Sequence, residues 1–310
     1  MKWAGGKSQL VPELVARSPR RIDTYFEPFL GGGAMFFALA ADRDLAPRRA
    51  VLNDANRTLM TVYEVVRDDL SRLLARLQAL AAPYLAAGPE ERAAIYYAER
   101  ERTPDGRVDT AARFIFLNKT CFNGLYRVNR RGEFNVPHGR YVTPRVVDEP
   151  ALRAASAALR GVTLLCGDFE EAAAEARAGD FVYFDPPFEP LSKTSSFTGY
   201  TSQAFDRREQ LRLKWLLDSL TDRGVAAMVS NSYAPGAEWL LGVYEGDGRK
   251  YAIEFTPARR AINSRGDRRG AIDELVITNY SPELSRRRLE SAAPPAAEDG
   301  APPQGAGRTK

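Results

Sequence analysis

Short apolar runs alternate with amphipathic stretches over much of the chain, which is the pattern of strands followed by helices. The run Phe181–Phe184 is apolar, aromatic and β-branched without alternation, as expected for a strand that is buried on both faces of a sheet. Helices are predicted near Gln9–Ala16, Ala34–Ala40 and Asp206–Thr221. The predicted strands are Ile22–Phe26, Ala50–Leu52, Gly161–Leu165, Phe181–Phe184, Val225–Ser230, Tyr251–Phe255 and Ile272–Thr278.

Helical spacing dominates residues 57–120. Leucines and valines from Leu59 to Leu80 recur every three or four positions, which predicts one long amphipathic helix that begins after Asn56. Gly88-Pro89 separates it from a second helix that ends near Arg102, and a Pro-Asp-Gly turn precedes a third. We interpret these helices as scaffold.

Composition narrows the class of protein. The chain has 310 residues, 44% of them hydrophobic, so it is long and apolar enough to bury a large core. Its net charge of +4 makes it mildly basic. No stretch approaches the roughly 18 apolar residues of a membrane span, and no apolar signal region opens the chain. Cys121 and Cys166 form no C-x-x-C motif or disulfide framework, so we expect a cytoplasmic protein without membrane association. Residues 283–310 are rich in Ala, Pro, Gly and charge, which predicts a disordered tail.

The stretch D-F-V-Y-F-D-P-P-F at Asp180–Phe188 carries the strongest chemical signal. Asp185 follows the predicted buried strand, at the end where parallel sheets bind ligands, and Pro186-Pro187 prevents the strand from continuing. The Asp185 carboxylate and the Pro186 carbonyl could accept hydrogen bonds from a planar amine while Phe188 stacks on its ring. The alternative is an ordinary Asp-Pro turn at the end of a strand.

A glycine turn follows the first predicted strand in E-P-F-L-G-G-G, which contains Pro28, Gly31 and Gly33. Strand, glycine turn and helix together let the backbone approach a nucleotide-like ligand closely. The spacing is not that of G-x-G-x-x-G, which argues against a nicotinamide or flavin cofactor. Asp54 follows the second strand, where it could bind ribose hydroxyls and could also cap the helix that comes next.

Basic and aromatic side chains interleave in Asn118–Tyr141. Segments 125–129 and 133–136 flank an Arg-Arg-Gly turn, which predicts a β-hairpin suited to phosphate contacts and base readout. The alternative is a solvated hairpin with packed aromatics. His138, the only histidine, is interpreted as a recognition-loop or packing residue. The candidate DNA-binding residues of this segment are Asn123, Leu125, Tyr126, Arg127, Arg130, Arg131, Pro137 and Tyr141.

Four motifs in order, K-W-A-G-G-K, E-P-F-L-G-G-G, N-D-A-N and D-P-P-F, resemble those of the DNA adenine methyltransferase family. The resemblance covers about residues 1–280, and the hairpin segment resembles the branch that methylates GATC. The family usually has tyrosine where this chain has Phe188, so stacking is retained and any hydroxyl contact is lost. The resemblance implies a doubly wound, mostly parallel α/β sheet of the S-adenosylmethionine-dependent methyltransferase fold. The implied domains are a catalytic domain at 1–56 and 151–282 and an inserted, mainly helical target-recognition domain at 57–150.

The same resemblance implies S-adenosylmethionine as cofactor and assigns residues to it. Trp3 and Lys7 would lie near its methionine and adenosine moieties, and Asp168 would accept from its adenine amine, unless Asp168 only caps a helix. The long loop Glu189–Phe205, with Ser192, Lys193 and Thr194, would lie over the target base and the DNA. The expected cofactor-binding residues are Trp3, Lys7, Pro28, Gly31, Gly33, Asp54, Asp168 and Asp185.

The residues also limit the reaction. Methylation at cytosine C5 needs a cysteine nucleophile, and neither Cys121 nor Cys166 lies in a plausible loop. An exocyclic amine carries its own nucleophile and needs orientation, hydrogen-bond acceptors and exclusion of water, which Asp185, Pro186, Pro187 and Phe188 could supply. We therefore predict direct methyl transfer to a flipped-out adenine. The resemblance implies that the adenine lies in GATC of double-stranded DNA, and we expect a monomer that uses no metal.

Three alternatives remain open at this stage. A catalytically inactive DNA-binding regulator would differ in a test of S-adenosylmethionine binding. A methyltransferase that acts on protein glutamine or another amine normally has Asn in place of Asp185. A nucleotide-dependent oxidoreductase is the weakest, because the glycine spacing is wrong. The sequence does not distinguish a restriction-modification role from a housekeeping one linked to DNA replication.

Overall fold

The computed structural model contains one seven-stranded sheet with buried side chains on both faces. The structure describes residues 3, 7, 9–129, 131–187, 205–233, 238–246, 248, 251–259 and 271–282. The strands are β1 (Thr24–Glu27), β2 (Arg49–Asn53), β3 (Thr163–Leu165), β4 (Phe181–Phe184), β5 (Ala226–Tyr233), β6 (Ala252–Arg259) and β7 (Ala271–Thr278).

The strand order is β3-β2-β1-β4-β5-β7-β6. Strands β1 to β5 pair in parallel, whereas β7 pairs antiparallel with both β5 and β6. The predicted α/β fold with a mostly parallel sheet is therefore confirmed. The order reverses between β1 and β4, and a crevice opens at such a reversal, at the carboxyl ends of the strands.

Helices cover both faces of the sheet, since two clusters of buried residues divide between them. Phe181 and Tyr183 of β4 belong to the first cluster, and Val182 and Phe184 to the second, as predicted for a strand buried on both sides. The helices are α1 (Val11–Arg17), α2 (Ala34–Ala41), α3 (Arg57–Asp68), α4 (Leu70–Ala86), α5 (Pro89–Glu101), α6 (Gly106–Thr120), α7 (Glu149–Ala158), α8 (Phe169–Ala172), α9 (Arg207–Asp222) and α10 (Glu238–Glu245).

The single long helix predicted after Asn56 is wrong. The backbone leaves helical geometry at Asp69 (φ −128°, ψ 32°), so α3 and α4 are separate helices. Leu59 of α3 and Leu77 of α4 nevertheless join the same core cluster. The apolar stripe therefore continues across the break, and its period does not reveal it.

The predicted hairpin is shorter than its sequence indicated. Val128 and Phe134 form an isolated bridge, and backbone bonds join Asn129 N–H to the Glu133 carbonyl and Asn135 N–H to the Arg127 carbonyl. Within the described residues of this segment, no regular strand forms.

Among all the residues that the structure describes, no helix is both long and apolar enough to cross a membrane.

Candidate active site

The carboxyl ends of β1, β2 and β3 are tied together by one buried side chain, Asn53. Its amide nitrogen donates to the Pro28 carbonyl (2.9 Å) and the Gly167 carbonyl (3.1 Å), and its oxygen accepts from Gly167 N–H (3.0 Å). The loops that follow the three strands are therefore held at one edge. Sequence reasoning missed this residue, although it opens the N-D-A-N motif.

The glycine turn after β1 adopts the backbone that its sequence suggested. Gly31 and Gly33 have positive φ of 48° and 67°, a region that favours glycine. Asp54 accepts hydrogen bonds from Gly31 N–H (2.9 Å) and Asn56 N–H (2.9 Å), while Asn56 caps α3 through Leu59 N–H. The helix-cap interpretation of Asp54 is therefore wrong, and its carboxylate instead supports the turn.

Trp3 lies directly against this turn. A Cβ at Gly31 would approach the indole to 2.9 Å, so only glycine fits beneath the ring. The indole also stacks on the rings of Tyr126 and Phe114, with ring centroids 5.3 Å and 6.3 Å away. Trp3 thus joins the glycine turn to the segment expected to contact DNA.

Asp185 follows β4 directly and is paired with Lys7, which also pairs with Glu274 of β7. The Lys7 Nζ lies 3.1 Å from Asp185 Oδ1 and 2.5 Å from Glu274 Oε1. Lys7 and Glu274 are buried, whereas the Asp185 side chain retains 23% of its exposure. The two motifs at the start of the chain and after β4, which lie far apart in the sequence, therefore meet at one carboxylate.

Burial dominates the electrostatics of Asp185. It raises the pKa of the carboxyl to about 6, with Lys7 opposing the rise, Glu274 adding to it and Ser230 contributing an opposing hydrogen bond. Ser230 in turn bonds with the Tyr183 hydroxyl (2.8 Å). Burial would lower the pKa of the Lys7 ammonium, but the two carboxylates outweigh it and raise that pKa. The site therefore holds an ion pair in which the pKa of the acid partner, Asp185, is about 6.

Glu27, at the end of β1, adds a second buried carboxyl group. Its Oε2 accepts hydrogen bonds from the Tyr25 hydroxyl (2.9 Å) and Phe36 N–H (3.2 Å). Burial raises its pKa well above the ordinary value, partly opposed by the Tyr25 bond. Burial likewise raises the pKa of Asp54, against the two backbone N–H groups that it accepts. Sequence reasoning did not single out Glu27 or Glu274.

The rest of the D-P-P-F motif is only partly described. Pro186 is buried and Pro187 is exposed. The other predicted residues of this region lie outside the described residues, namely Phe188, Ser192, Lys193, Thr194 and most of the loop Glu189–Phe205.

Asp168 caps α8, as one of its two interpretations predicted. Its Oδ1 accepts from Glu170 N–H (2.9 Å) and pairs with Arg212 of α9 (3.0 Å). Arg212 also lies over the Phe169 ring, 4.8 Å from the centroid. The side chain keeps 37% of its exposure, so the cap leaves the carboxylate accessible at the edge of the site.

The candidate DNA-binding segment combines exposed and buried positions. Arg131 and Pro137 are exposed, Asn123, Leu125 and Tyr141 are half-buried, and Arg130 lies outside the described residues. Arg127 Nε donates to Asn135 Oδ1 (2.7 Å) across the turn. Tyr126 departs from the expectation of a surface contact, because its ring packs between Trp3, Phe114 and Phe134 and keeps only 9% exposure.

Helices α4 and α5 hold the second half of this segment. The Tyr96 hydroxyl donates to the Val136 carbonyl (2.8 Å), and the Tyr84 hydroxyl contacts His138 Nε2 (2.8 Å). Burial and the nearby Arg92 lower the pKa of His138. His138 is therefore a packing residue, one of the two interpretations that its position allowed.

Known proteins resemble this chain over nearly its whole length. A family model described as D12 class N6 adenine-specific DNA methyltransferase matches residues 3–253. The Type II methyltransferase M.MjaIII of Methanocaldococcus jannaschii is 42% identical over 291 residues, covering 90% of this chain and 98% of that protein. A Type II methyltransferase, M1.LlaDCHI of Lactococcus lactis subsp. cremoris, is 39% identical, covering 90% and 94%. The DNA adenine methylase of Escherichia coli (strain K12) is 30% identical, covering 91% and 95%.

Proposed function

Because the chain belongs to the D12 class of N6 adenine-specific DNA methyltransferases, we propose that it methylates adenine in GATC, with S-adenosylmethionine as donor and Asp185 holding the target amine. The observation that carries this proposal is the position of Asp185. It is a partly exposed carboxylate at the end of β4, where the strand order reverses, beside the glycine turn that follows β1.

The donor set at this edge fits a cationic, nucleoside-containing cofactor. Complete burial of Glu27 and partial burial of Asp54 and Asp185 raise the pKa values of the three carboxyl groups, so a bound positive charge would favour their ionised forms. When bound, S-adenosylmethionine supplies an electrophilic methyl group on a sulfonium. It would be held by the indole of Trp3, the turn at Pro28, Gly31 and Gly33, and the carboxylates of Asp54 and Asp168. Lys7 would act indirectly, by pairing with Asp185.

Asp185 and the Pro186 carbonyl would orient the target amine. Two acceptors at a rigid Pro-Pro turn can take both amine hydrogens and so direct the nitrogen lone pair away from the ring. Each carboxylate oxygen has two acceptor lone pairs, so Asp185 can accept from the amine while Lys7 is paired with Oδ1. The adenine must leave the duplex to reach such a site.

The proton of the reaction would also pass to Asp185. After the amine nitrogen gains its methyl group it carries a positive charge and one proton too many. A carboxylate with a pKa of about 6 is ionised at neutral pH and can accept that proton, then release it to solvent. Lys7 stabilises the ionised form while the amine is bound.

Recognition of GATC would come from the segment around Arg127. A guanidinium can bond both major-groove acceptors of guanine, and Arg127 is held beside Asn135 at a turn. Arg131, exposed at the tip, is suited to phosphate. Tyr126, which is buried, would support this segment from beneath rather than touch DNA.

Methylation of two matched duplexes tests the proposal. With labelled S-adenosylmethionine, the wild-type protein should methylate a duplex with one GATC and leave its GTTC counterpart unlabelled. Asp185→Ala should lower the rate by at least about 10²–10⁴-fold, because orientation and the proton acceptor are both lost. Its melting temperature and DNA affinity should stay near wild type, since Lys7 still pairs with Glu274. Near-normal turnover by Asp185→Ala would contradict the site assignment. A wild type that binds DNA but never transfers label would instead be a regulator.

A further inference from the structure

Glu274 lies in a strand that no motif marks, yet it reaches the candidate active site through Lys7. Its Oε1 is 2.5 Å from Lys7 Nζ, and Lys7 Nζ is 3.1 Å from Asp185 Oδ1. Glu274 and Lys7 keep 2% and 7% of their exposure, so water screens this contact weakly. One ammonium is thus shared between two carboxylates in a largely dry setting.

Strand pairing fixes where Glu274 stands. Within the antiparallel pair β5–β7, Ser232 lies opposite Glu274, and its hydroxyl donates to Glu274 Oε2 (3.4 Å). Two residues earlier in β5, Ser230 hydrogen-bonds Asp185. The same two strands therefore place both Glu274 and a partner of Asp185.

We infer that Glu274 is a positioning residue that holds Lys7 against Asp185 and, by sharing its charge, keeps Asp185 basic enough to take the amine proton. This inference rests on the proposed role of Asp185 in methyl transfer. Without Glu274, the whole charge of Lys7 would act on Asp185 and make it a weaker base. Without Lys7, Glu274 and Asp185 would repel each other.

Other ionisable groups surround Asp185 and bear on its titration. Glu27 and Tyr25 on β1 and Tyr183 on β4 couple electrostatically to it. These groups are unchanged in a Glu274 or Lys7 variant. A change in the titration of Asp185 relative to wild type is therefore caused by the substituted residue. The expected shifts have opposite signs, because Glu274 is an anion and Lys7 a cation.

Carboxyl NMR of the protein without cofactor or DNA tests the inference. Protein with ¹³C-labelled aspartate is titrated, and Asp185→Asn identifies the Asp185 signal. In Glu274→Gln the Asp185 signal should titrate about one pH unit lower than in wild type. In Lys7→Gln it should titrate higher by a similar amount, which keeps the test decisive if one variant fails to fold. Glu254→Gln is the matched control. Glu254 lies on the neighbouring strand β6 and also forms an ion pair, but with Arg17 of α1.

Methyl-transfer rates extend the test. The acid limb of the pH–rate profile should move to lower pH in Glu274→Gln and stay in place in Glu254→Gln. Identical titration of Asp185 in wild type and both site variants would overturn the inference, even with methylation of DNA intact. A uniform loss of rate without a moved acid limb would also overturn it. The absence of wild-type methylation would count against the proposed function and not against the NMR result.

Discussion

At the scale of single residues, the candidate site is distinguished by carboxyl groups that burial makes hard to ionise. Glu27, Asp54 and Asp185 lie at the carboxyl edge of the sheet with raised pKa values. A buried charge is costly unless it is paired, and among these three carboxyl groups Asp185 is paired with Lys7. We therefore expect this edge of the sheet to bind a ligand that carries positive charge, because such a charge would stabilise the ionised carboxylates.

Binding of S-adenosylmethionine should therefore release protons. A bound sulfonium favours the ionised carboxylates and lowers their pKa values, so affinity should increase as the pH rises through about 6, where Asp185 titrates, and level off above it. Calorimetry at pH 6 in two buffers with different ionisation enthalpies measures the protons directly. Equal observed enthalpies in the two buffers would contradict the expectation.

Asp54 gives a second test at this scale. Its carboxylate accepts Gly31 N–H and Asn56 N–H, so Asp54→Ala leaves a turn donor without its partner and should weaken S-adenosylmethionine binding by about 1–3 kcal/mol. Asp42→Ala is a matched control, because Asp42 accepts Asp44 N–H in a turn remote from the site. Unchanged affinity for Asp54→Ala by calorimetry, or an equal loss for both variants, would reject the role.

At the scale of elements, the strands could be predicted well and the connections less so. The run Phe181–Phe184 has the same bounds as β4, because a continuous apolar run that short has few other structures available. The break at Asp69 could not be predicted, since the apolar stripe continues through it. The hairpin is shorter than predicted because side chains make its bonds near the turn. Asn129 Oδ1 accepts from Arg131 N–H and Glu133 N–H, and Asn135 Oδ1 accepts from Arg127 Nε.

The same contrast holds within the site. Asp185 and the glycine turn are visible in the sequence because prolines and glycines mark them. Glu274 has no such mark, because it lies within an ordinary strand pattern, and only strand pairing brings it to Lys7. The sequence predicts that Tyr126 contacts DNA, whereas its packing against Trp3, Phe114 and Phe134 buries it.

Arg127 and Arg131 should affect DNA binding in different ways. Arg127→Ala should cost about 1–3 kcal/mol and relax discrimination at one base pair, whereas Arg131→Ala should weaken binding to all sequences and lower the salt slope by about 1. Competition binding on duplexes altered at each GATC position measures both effects. Asn135→Ala controls for the turn, because it removes the partner of Arg127 and keeps the guanidinium. Equal sequence dependence for the two arginine variants would contradict the assignment.

At the scale of the whole molecule, the predicted insertion and the catalytic sheet share a core. Tyr183 of β4, Leu77 of α4 and Phe116 of α6 belong to one cluster of buried residues. Trp3 adds a direct link, since it contacts both the glycine turn and Tyr126. The division at residues 57–150 stays a prediction, and the shared core makes the segment Asn118–Tyr141 and the carboxyl edge of the sheet parts of one packed body.

Mapping of modified bases tests the central claim most directly. The purified protein is incubated with unmethylated DNA of random sequence and isotopically labelled S-adenosylmethionine, and every labelled base is identified and placed by sequencing. We predict label on the N6 atom of adenine, within GATC, that is absent with Asp185→Ala. Label on cytosine, or on adenines mainly outside GATC, or label that persists with Asp185→Ala, would contradict the account.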